Sequence, residues 1–172
     1  MTLVIVGDVP IEVEQWLNRR RAQGLDQFDE VWEGEYHVAP APHRRHGEVE
    51  LQLARILGPF ADRAGLVGSG PCNIGQPDDY RVPDQAYFDT ADASVFQPTA
   101  RLVVEIVSPD DQSREKFGFY ATAGVAEVLI VDPATATVEW FERSGSGFIP
   151  RPNSSLLGVS AALLQTKIRW PQ

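Results

Sequence analysis

The chain of 172 residues is 43% hydrophobic, which fits one domain over residues 1–172 with a substantial core and excludes intrinsic disorder. Its single cysteine, Cys72, excludes an intramolecular disulfide and a zinc site of the CxxC type, and suits a reducing cytoplasm. No apolar run approaches the roughly 20 residues that span a bilayer, so we expect a cytoplasmic protein without a membrane partner.

The net charge of −9 argues against a nucleic-acid partner, because phosphate binding depends on Lys and Arg side chains. The acidic excess is greatest in the middle of the chain, where residues 64–111 include two basic and eight acidic residues. Carboxylates clustered there would repel a polyanion until a cation neutralised them. The alternative interpretation is an acidic surface that keeps the protein in solution.

Three helices are predicted from apolar spacing and terminal charges. The first covers Pro10 to Gly24, with acidic residues near its start and arginines near its end, as the helix dipole favours. The second and clearest covers His43 to Asp62, because its apolar residues recur at helical spacing. The third covers Gln112 to Ala123.

The remaining elements are predicted strands. A hairpin covers Asp29 to Ala39 and turns at Glu33-Gly34, and the later segments are the extended stretches 66–74 and 81–88, the buried strands 102–107 and 128–131, and the outer strands 138–141 and 147–150. The order helix, two strands, helix, three strands, helix, three strands predicts an α/β (α+β) fold in which helices flank a mixed β-sheet. The C-terminal tail is weakly patterned.

Glu105 interrupts the most apolar predicted strand and shares a face with Val103 and Val107. Burying a polar group without a hydrogen-bond partner costs roughly 2–7 kcal/mol, so something must compensate this carboxylate. One interpretation is a basic partner or a strand end that reaches solvent. The other is a metal ligand.

Asp84 follows Pro83 in the preceding extended stretch. Taken alone, Asp84 is best interpreted as a solvated carboxylate on an edge strand, since proline favours the edge strands of a sheet. If this stretch pairs with the strand of Glu105, however, the two carboxylates can meet on one face. Two like charges are unfavourable unless a cation or a proton intervenes, and hard oxygen ligands suit Mg²⁺.

These residues resemble the Uma2 family, a branch of the PD-(D/E)XK nuclease superfamily whose members are often labelled restriction endonucleases. The resemblance covers about residues 25–145. Its motifs are individually weak but fairly specific in their order and spacing: Glu30, Glu33 to Glu35, His46-Gly47, Val82 to Asp84, Leu102 to Pro109, Lys116, Tyr120 and Gly124 to Pro133. The resemblance implies a restriction-endonuclease-like fold with a catalytic Mg²⁺ (or Mn²⁺).

Carried over residue by residue, the resemblance makes Asp84 and Glu105 the metal ligands. The superfamily places a lysine two positions after the glutamate, where this chain has Val107. The Uma2 family is thought to supply a migrated lysine from the following helix, which makes Lys116 the third catalytic candidate. The alternative is a solvated helix lysine. The segment between Glu105 and Lys116 is also shorter than usual by about one turn, a difference that would displace the amine.

Three further residues are candidates for the site. Glu30 matches a family glutamate, and it either completes the acidic cluster or only begins a strand. His46 lies on the apolar face of its helix, where it is either a satisfied structural histidine or a group that contacts substrate and assists proton transfer. Tyr120 is expected in the core with its hydroxyl near the site.

Three functions remain open at this point. The first is a Mg²⁺-dependent endonuclease that cleaves DNA and acts as a homodimer, since a nuclease that cuts both strands usually needs two sites. The second is a catalytically inactive binding or interaction module, which the net charge, Val107 and the short spacer favour. The third is a metal-dependent hydrolase of a smaller phosphate ester.

Overall fold

The computed structural model describes residues 3–7, 9–109 and 112–171, and within these ranges it has four helices and twelve strands. The helices are α1 (Ile11–Ala22), α2 (Arg44–Arg63), α3 (Phe117–Thr122) and α4 (Ala161–Lys167). The strands are β1 (Leu3–Ile5), β2 (Glu30–Trp32), β3 (Glu35–Val38), β4 (Val67–Ser69), β5 (Asn73–Gln76), β6 (Asp79–Arg81), β7 (Gln85–Phe88), β8 (Phe96–Gln97), β9 (Leu102–Ile106), β10 (Glu127–Asp132), β11 (Thr137–Ser144) and β12 (Gly147–Arg151). Asp110 and Asp111, which belong to the acidic middle stretch, lie outside the described residues.

The strands form two mixed sheets of six strands each. The first sheet has the order β1-β3-β2-β6-β5-β8, and the second has the order β12-β11-β10-β9-β7-β4. In the second sheet β9 runs parallel to β10 and antiparallel to β7. The predicted fold class, a mixed sheet flanked by helices, is confirmed, although the division of the strands between two sheets was not predicted.

The core lies on both faces of the second sheet. Every residue of β9 is buried, as expected for a strand covered on both faces. Alternate residues of β9 enter two apolar clusters: Leu102 and Val104 pack with α2, whereas Val103 packs with Tyr120 of α3. The sheet therefore separates α2 from α3, and the adjacent strands β7 and β9 lie between the two helices.

The predicted first two helices are confirmed, and the predicted third helix is too long. It begins at Phe117 instead of Gln112, and the residues before it form turns closed by the bonds Glu115 N to Gln112 O and Phe117 N to Arg114 O. Residues 112–116 are all polar, so they offer no apolar face to hold a further helical turn against the sheet.

Two predicted extended stretches are each divided. The stretch 66–74 becomes β4 and β5, which belong to different sheets. The stretch 81–88 becomes the end of β6 followed by β7, and Pro83 lies in the break because it has no N–H for a strand ladder. The weakly patterned tail contains α4, whose N-cap Ser160 accepts a hydrogen bond from Leu163 N.

The predicted hairpin at Asp29 to Ala39 is confirmed as β2 and β3. Trp32 faces Glu35 in the register, so the turn is the dipeptide Glu33-Gly34, and both residues have positive φ (50° and 88°). This combination is the type I′ turn that matches the twist of a two-residue hairpin. The hairpin carries Glu30, one of the candidate site residues.

Candidate active site

Asp84 and Glu105 come from neighbouring antiparallel segments. Gln85 faces Val104 in the register of β7 and β9, so Asp84, the residue before β7, lies at the level of Glu105. The backbone N–H of Asp84 donates to Val104 O at 3.0 Å, and its Oδ2 accepts from Ile106 N at 2.6 Å. Both carboxylates line one cavity of about 360 Å³. The sequence predicted this adjacency, whereas the role of the pair as metal ligands stays a prediction.

Glu105 is buried, with 4% of its surface exposed. Lys116 Nζ lies 3.1 Å from each carboxylate oxygen, and the Tyr120 hydroxyl donates to Oε1 at 2.5 Å. Burial raises the pKa of Glu105 to about 8 although Lys116 opposes the shift, and the negative charges of Asp84 and Glu30 add to it. The buried carboxylate therefore has the basic partner that its position in the strand requires.

Lys116 is the residue just before α3, and its carbonyl accepts from Tyr120 N one turn later. Its side chain is only 11% exposed, so the interpretation as a solvated lysine is wrong. The amine also lies 2.8 Å from Glu30 Oε1, so the short segment after Glu105 does not hold it away from the carboxylates. Burial would lower the pKa of Lys116, but the charges of Glu105 and Glu30 outweigh burial and raise it.

Glu30 begins β2 and also joins the cluster of charges. Its Oε1 accepts from Val82 N at 2.7 Å, and its Oε2 accepts from Trp32 Nε1 at 2.6 Å. The first of these bonds satisfies a backbone donor at the break before Pro83. With Lys116 between them, Glu30 of the first sheet and Glu105 of the second sheet share one positive charge.

His46, in the first turn of α2, contacts Asp84. Its Nε2 lies 2.7 Å from Asp84 Oδ1, and its Nδ1 lies 3.3 Å from Ser108 Oγ. Burial lowers the pKa of His46, but the hydrogen bond and charge of Asp84 outweigh burial and leave it above its ordinary value. One turn later Glu50 borders the same cavity, and burial together with Asp84 raises its pKa.

The donor set fits a hard divalent cation that retains water ligands. Within the described residues, no group of three or more His, Cys, Asp or Glu side chains forms a ready metal cage. Two carboxylates with open positions nevertheless suit Mg²⁺, which keeps several waters and is commonly bound through one or two carboxylates. A cation at Asp84 and Glu105 would also relieve the repulsion that helps to raise the pKa of Glu105.

Two residues beside the site, Trp32 and His37, were missed by sequence reasoning. The rings of Trp32 and His37 stack with their centroids 4.6 Å apart, and the guanidinium of Arg81 lies between Trp32 (4.5 Å) and Phe119 (4.2 Å). Trp32 and His37 border the cavity. The hairpin register offered the signal, because side chains opposite each other on paired strands share a face, and His37 lies opposite Glu30.

The arrangement of the sheets and helices recurs in another protein. It is shared by a solved structure described as "a putative nuclease belonging to DUF820 from Anabaena variabilis ATCC 29413", with a TM-score of 0.67 and 17% identity over 81% of this chain and 90% of that chain. The likeness at this identity concerns the fold.

The chain belongs to the Uma2 family. The sequence model of that family, described as "Putative restriction endonuclease", matches residues 12–164, a longer span than the motifs alone indicated. No curated protein matches the chain. In the part of the chain that the structure describes, no helix is long and apolar enough to cross a membrane.

Proposed function

We propose that this protein is an endonuclease that uses Mg²⁺ or Mn²⁺ to hydrolyse phosphodiester bonds of DNA. One observation carries the proposal: Lys116 reaches Glu105 from outside the strand, with its amine 3.1 Å from both carboxylate oxygens. The superfamily position for this lysine is Val107 in this chain, so Lys116 supplies the missing amine from the start of α3.

Asp84 and Glu105 would hold the cation. When bound, the cation would polarise the phosphoryl oxygen and lower the pKa of a water ligand. Glu105 binds a cation in its ionised form, so a bound cation would oppose the burial that raises the pKa of this group. Tyr120 acts in the same direction, since its hydroxyl hydrogen bond favours the carboxylate form.

Lys116 acts as a hydrogen-bond donor and not as a base. The carboxylates of Glu105 and Glu30 keep it protonated, so it cannot take a proton from water at physiological pH. A fixed ammonium beside the cation would stabilise the negative charge that develops on the phosphoryl group and orient the attacking water. Glu30 positions the amine by binding it from a strand of the first sheet.

His46 is a positioning residue for Asp84. Its Nε2 holds Oδ1 while Ile106 N holds Oδ2, and these two bonds fix the carboxylate plane toward the cavity. Carboxylates that bind a metal are commonly held in place by a hydrogen bond from a neighbouring side chain, and His46 would have this role for Asp84.

The acidic surface and the net charge of −9 make DNA binding dependent on the cation. A homodimer would provide one site for each strand.

The inactive binding or interaction module is the second candidate. One observation favours it: Lys116 already has two carboxylate partners without any substrate, so the cluster is complete as a structural ion-pair network. The two candidates differ in a single measurable property, the cleavage of nucleic acid.

Plasmid cleavage with Mg²⁺ or Mn²⁺ separates the candidates. We expect the wild type to nick and linearise plasmid, and Lys116→Ala to cut at least about 100-fold more slowly. Lys167→Ala is the matched control, because Lys167 is the other lysine of the chain and is exposed at the end of α4. Equal rates for wild type and Lys116→Ala would remove this residue from the mechanism. A purified wild type that cuts neither DNA nor RNA would favour the inactive module.

A further inference from the structure

His37 of β3 is buried without a hydrogen-bond partner. Only 7% of its surface is exposed, and neither Nδ1 nor Nε2 has a partner among the described residues. A neutral imidazole carries one donor and one acceptor, and leaving both unpaired in the interior costs free energy. Buried polar groups in folded proteins are normally paired, so an unpaired one calls for a reason.

The ring of His37 is held in place by stacking. It lies on Trp32 with an interplanar angle of 20°, and Trp32 in turn stacks on Arg81, which stacks on Phe119. His37 therefore forms one end of a column of four planar groups that links β3 to α3. The column fixes the ring plane without using either ring nitrogen.

This end of the column borders the candidate active site. His37 lines the same cavity as Asp84, Glu105 and Lys116, and it faces Glu30 across the hairpin. Both ring nitrogens are buried, so exposing one of them at the cavity that His37 borders requires the ring to turn within its stacking plane.

We propose that His37 is a substrate-contacting residue whose imidazole edge hydrogen-bonds a nucleobase next to the scissile phosphodiester. The inference rests on the proposed endonuclease function and adds a subsite to it. A base edge offers donors and acceptors together, which match the donor and the acceptor of a neutral imidazole. A phosphate only accepts, and the carboxylates of Glu30, Asp84 and Glu105 would repel a second phosphate that has no cation.

The charge state of His37 agrees with this assignment. Burial lowers its pKa, and the positive charge of Arg81 acts in the same direction, although Glu30 opposes the shift. The ring is therefore neutral at physiological pH and keeps both its donor and its acceptor. The binding of a base would supply the partners that the free protein lacks.

The test combines His37→Phe with changes in the substrate. Phenylalanine keeps a ring to stack on Trp32 but removes both nitrogens. The substrate is a duplex oligonucleotide whose cleavage position has been mapped with the wild type. A second set of duplexes carries an abasic position at each neighbouring nucleotide in turn.

We expect His37→Phe to melt at or above the wild-type temperature, because it removes two unpaired polar atoms, and to raise KM for the intact duplex about tenfold. With the base removed at the contacted position, wild type and variant should have equal KM values. His37→Asn, which restores a donor and an acceptor, should recover part of the loss.

Three results would overturn the inference. An unchanged KM in His37→Phe would show that the ring does not contact substrate. An equal rise of KM on intact and abasic duplexes would show that the contact is not to a base. A melting temperature of His37→Phe several degrees below that of the wild type would show that the fold uses the ring nitrogens. In all three cases the wild type still cleaves. A wild type that neither binds nor cleaves nucleic acid would overturn the proposed function and this inference with it.

Discussion

At the scale of single residues, the site depends on how one buried positive charge is divided between two carboxylates. Lys116 binds Glu30 at 2.8 Å and Glu105 at 3.1 Å, while Asp84 is held separately by His46. Removing one partner of a buried pair leaves the other charge uncompensated, which is far more costly than losing a surface ion pair. Substitutions of Glu30, Glu105 and Asp84 are therefore expected to have different effects.

We expect Glu105 to make the stability of the metal-free protein depend on pH. Its pKa is about 8 in the folded state against about 4.5 when unfolded, so the folded state binds more protons between these values. The stability that this group contributes is therefore present below about pH 4.5 and is lost as pH rises to about 8. Thermal melts in EDTA at pH 5 and pH 8 should show the decline.

Glu105→Gln should reduce that decline, since glutamine does not titrate. Stability should still fall somewhat with rising pH in this variant. The pKa of His46 is raised in the folded state, so the stability that His46 contributes is also lost as the pH rises through that pKa. If Glu105→Gln and wild type had the same pH slope, Glu105 would be ionised throughout the range, and its pKa would not be raised.

His46→Gln tests whether the histidine orients Asp84. Glutamine keeps an amide donor for Asp84 but lacks the rigid ring that spans Asp84 Oδ1 and Ser108 Oγ. We expect Mn²⁺ affinity to fall about 10- to 100-fold, as for other residues that orient metal ligands. Titration of Mn²⁺ by calorimetry measures the effect, and unchanged affinity would make His46 a structural residue only.

At the scale of elements, the predictions succeeded where local pattern and tertiary packing agree. Helix α2 was predicted well because Val49, Leu53 and Leu57 recur at helical spacing and are all fully buried. The start of α3 was predicted too early because the segment before Phe117 is charged and polar, and helix propensity alone does not hold such a segment on the sheet.

The candidate site was only partly predictable for a similar reason. Asp84 and Glu105 could be paired from strand alternation, since each interrupts an apolar pattern. The contact of Glu30 with Lys116 joins a strand of the first sheet to the residue just before α3 and leaves no periodic signal. The column of His37, Trp32, Arg81 and Phe119 was missed because it depends on how the hairpin packs against α3.

The β2–β3 hairpin is the element that carries both Glu30 and His37, and its turn is testable. Gly34 has φ of 88°, a region that residues with a Cβ rarely adopt. Gly34→Ala should lower the free energy of unfolding by about 1 kcal/mol in urea denaturation. Gly70→Ala is the matched control, because its added Cβ meets no atom within 4 Å and its φ is not positive. Equal effects of the two substitutions would contradict the turn geometry.

At the scale of the whole molecule, the net charge of −9 leads us to expect that a bound cation stabilises the folded protein and assists substrate binding. A ligand that binds only the folded state stabilises it in proportion to its concentration relative to Kd. Millimolar Mg²⁺ or Mn²⁺ should therefore raise the melting temperature of the wild type by several degrees. Asp84→Ala should lose this response. A wild-type melting curve that does not change with the cation would mean that the carboxylates form no metal site.

The most direct test of the account is a crystal structure of the wild type soaked in Mn²⁺, with anomalous differences measured at the manganese edge. The account predicts a peak in the cavity within about 2.2 Å of a carboxylate oxygen of both Asp84 and Glu105, with Lys116 still beside Glu105. An empty cavity at saturating Mn²⁺, or a peak bound only by other residues, would contradict the claim that these two carboxylates form the catalytic metal site.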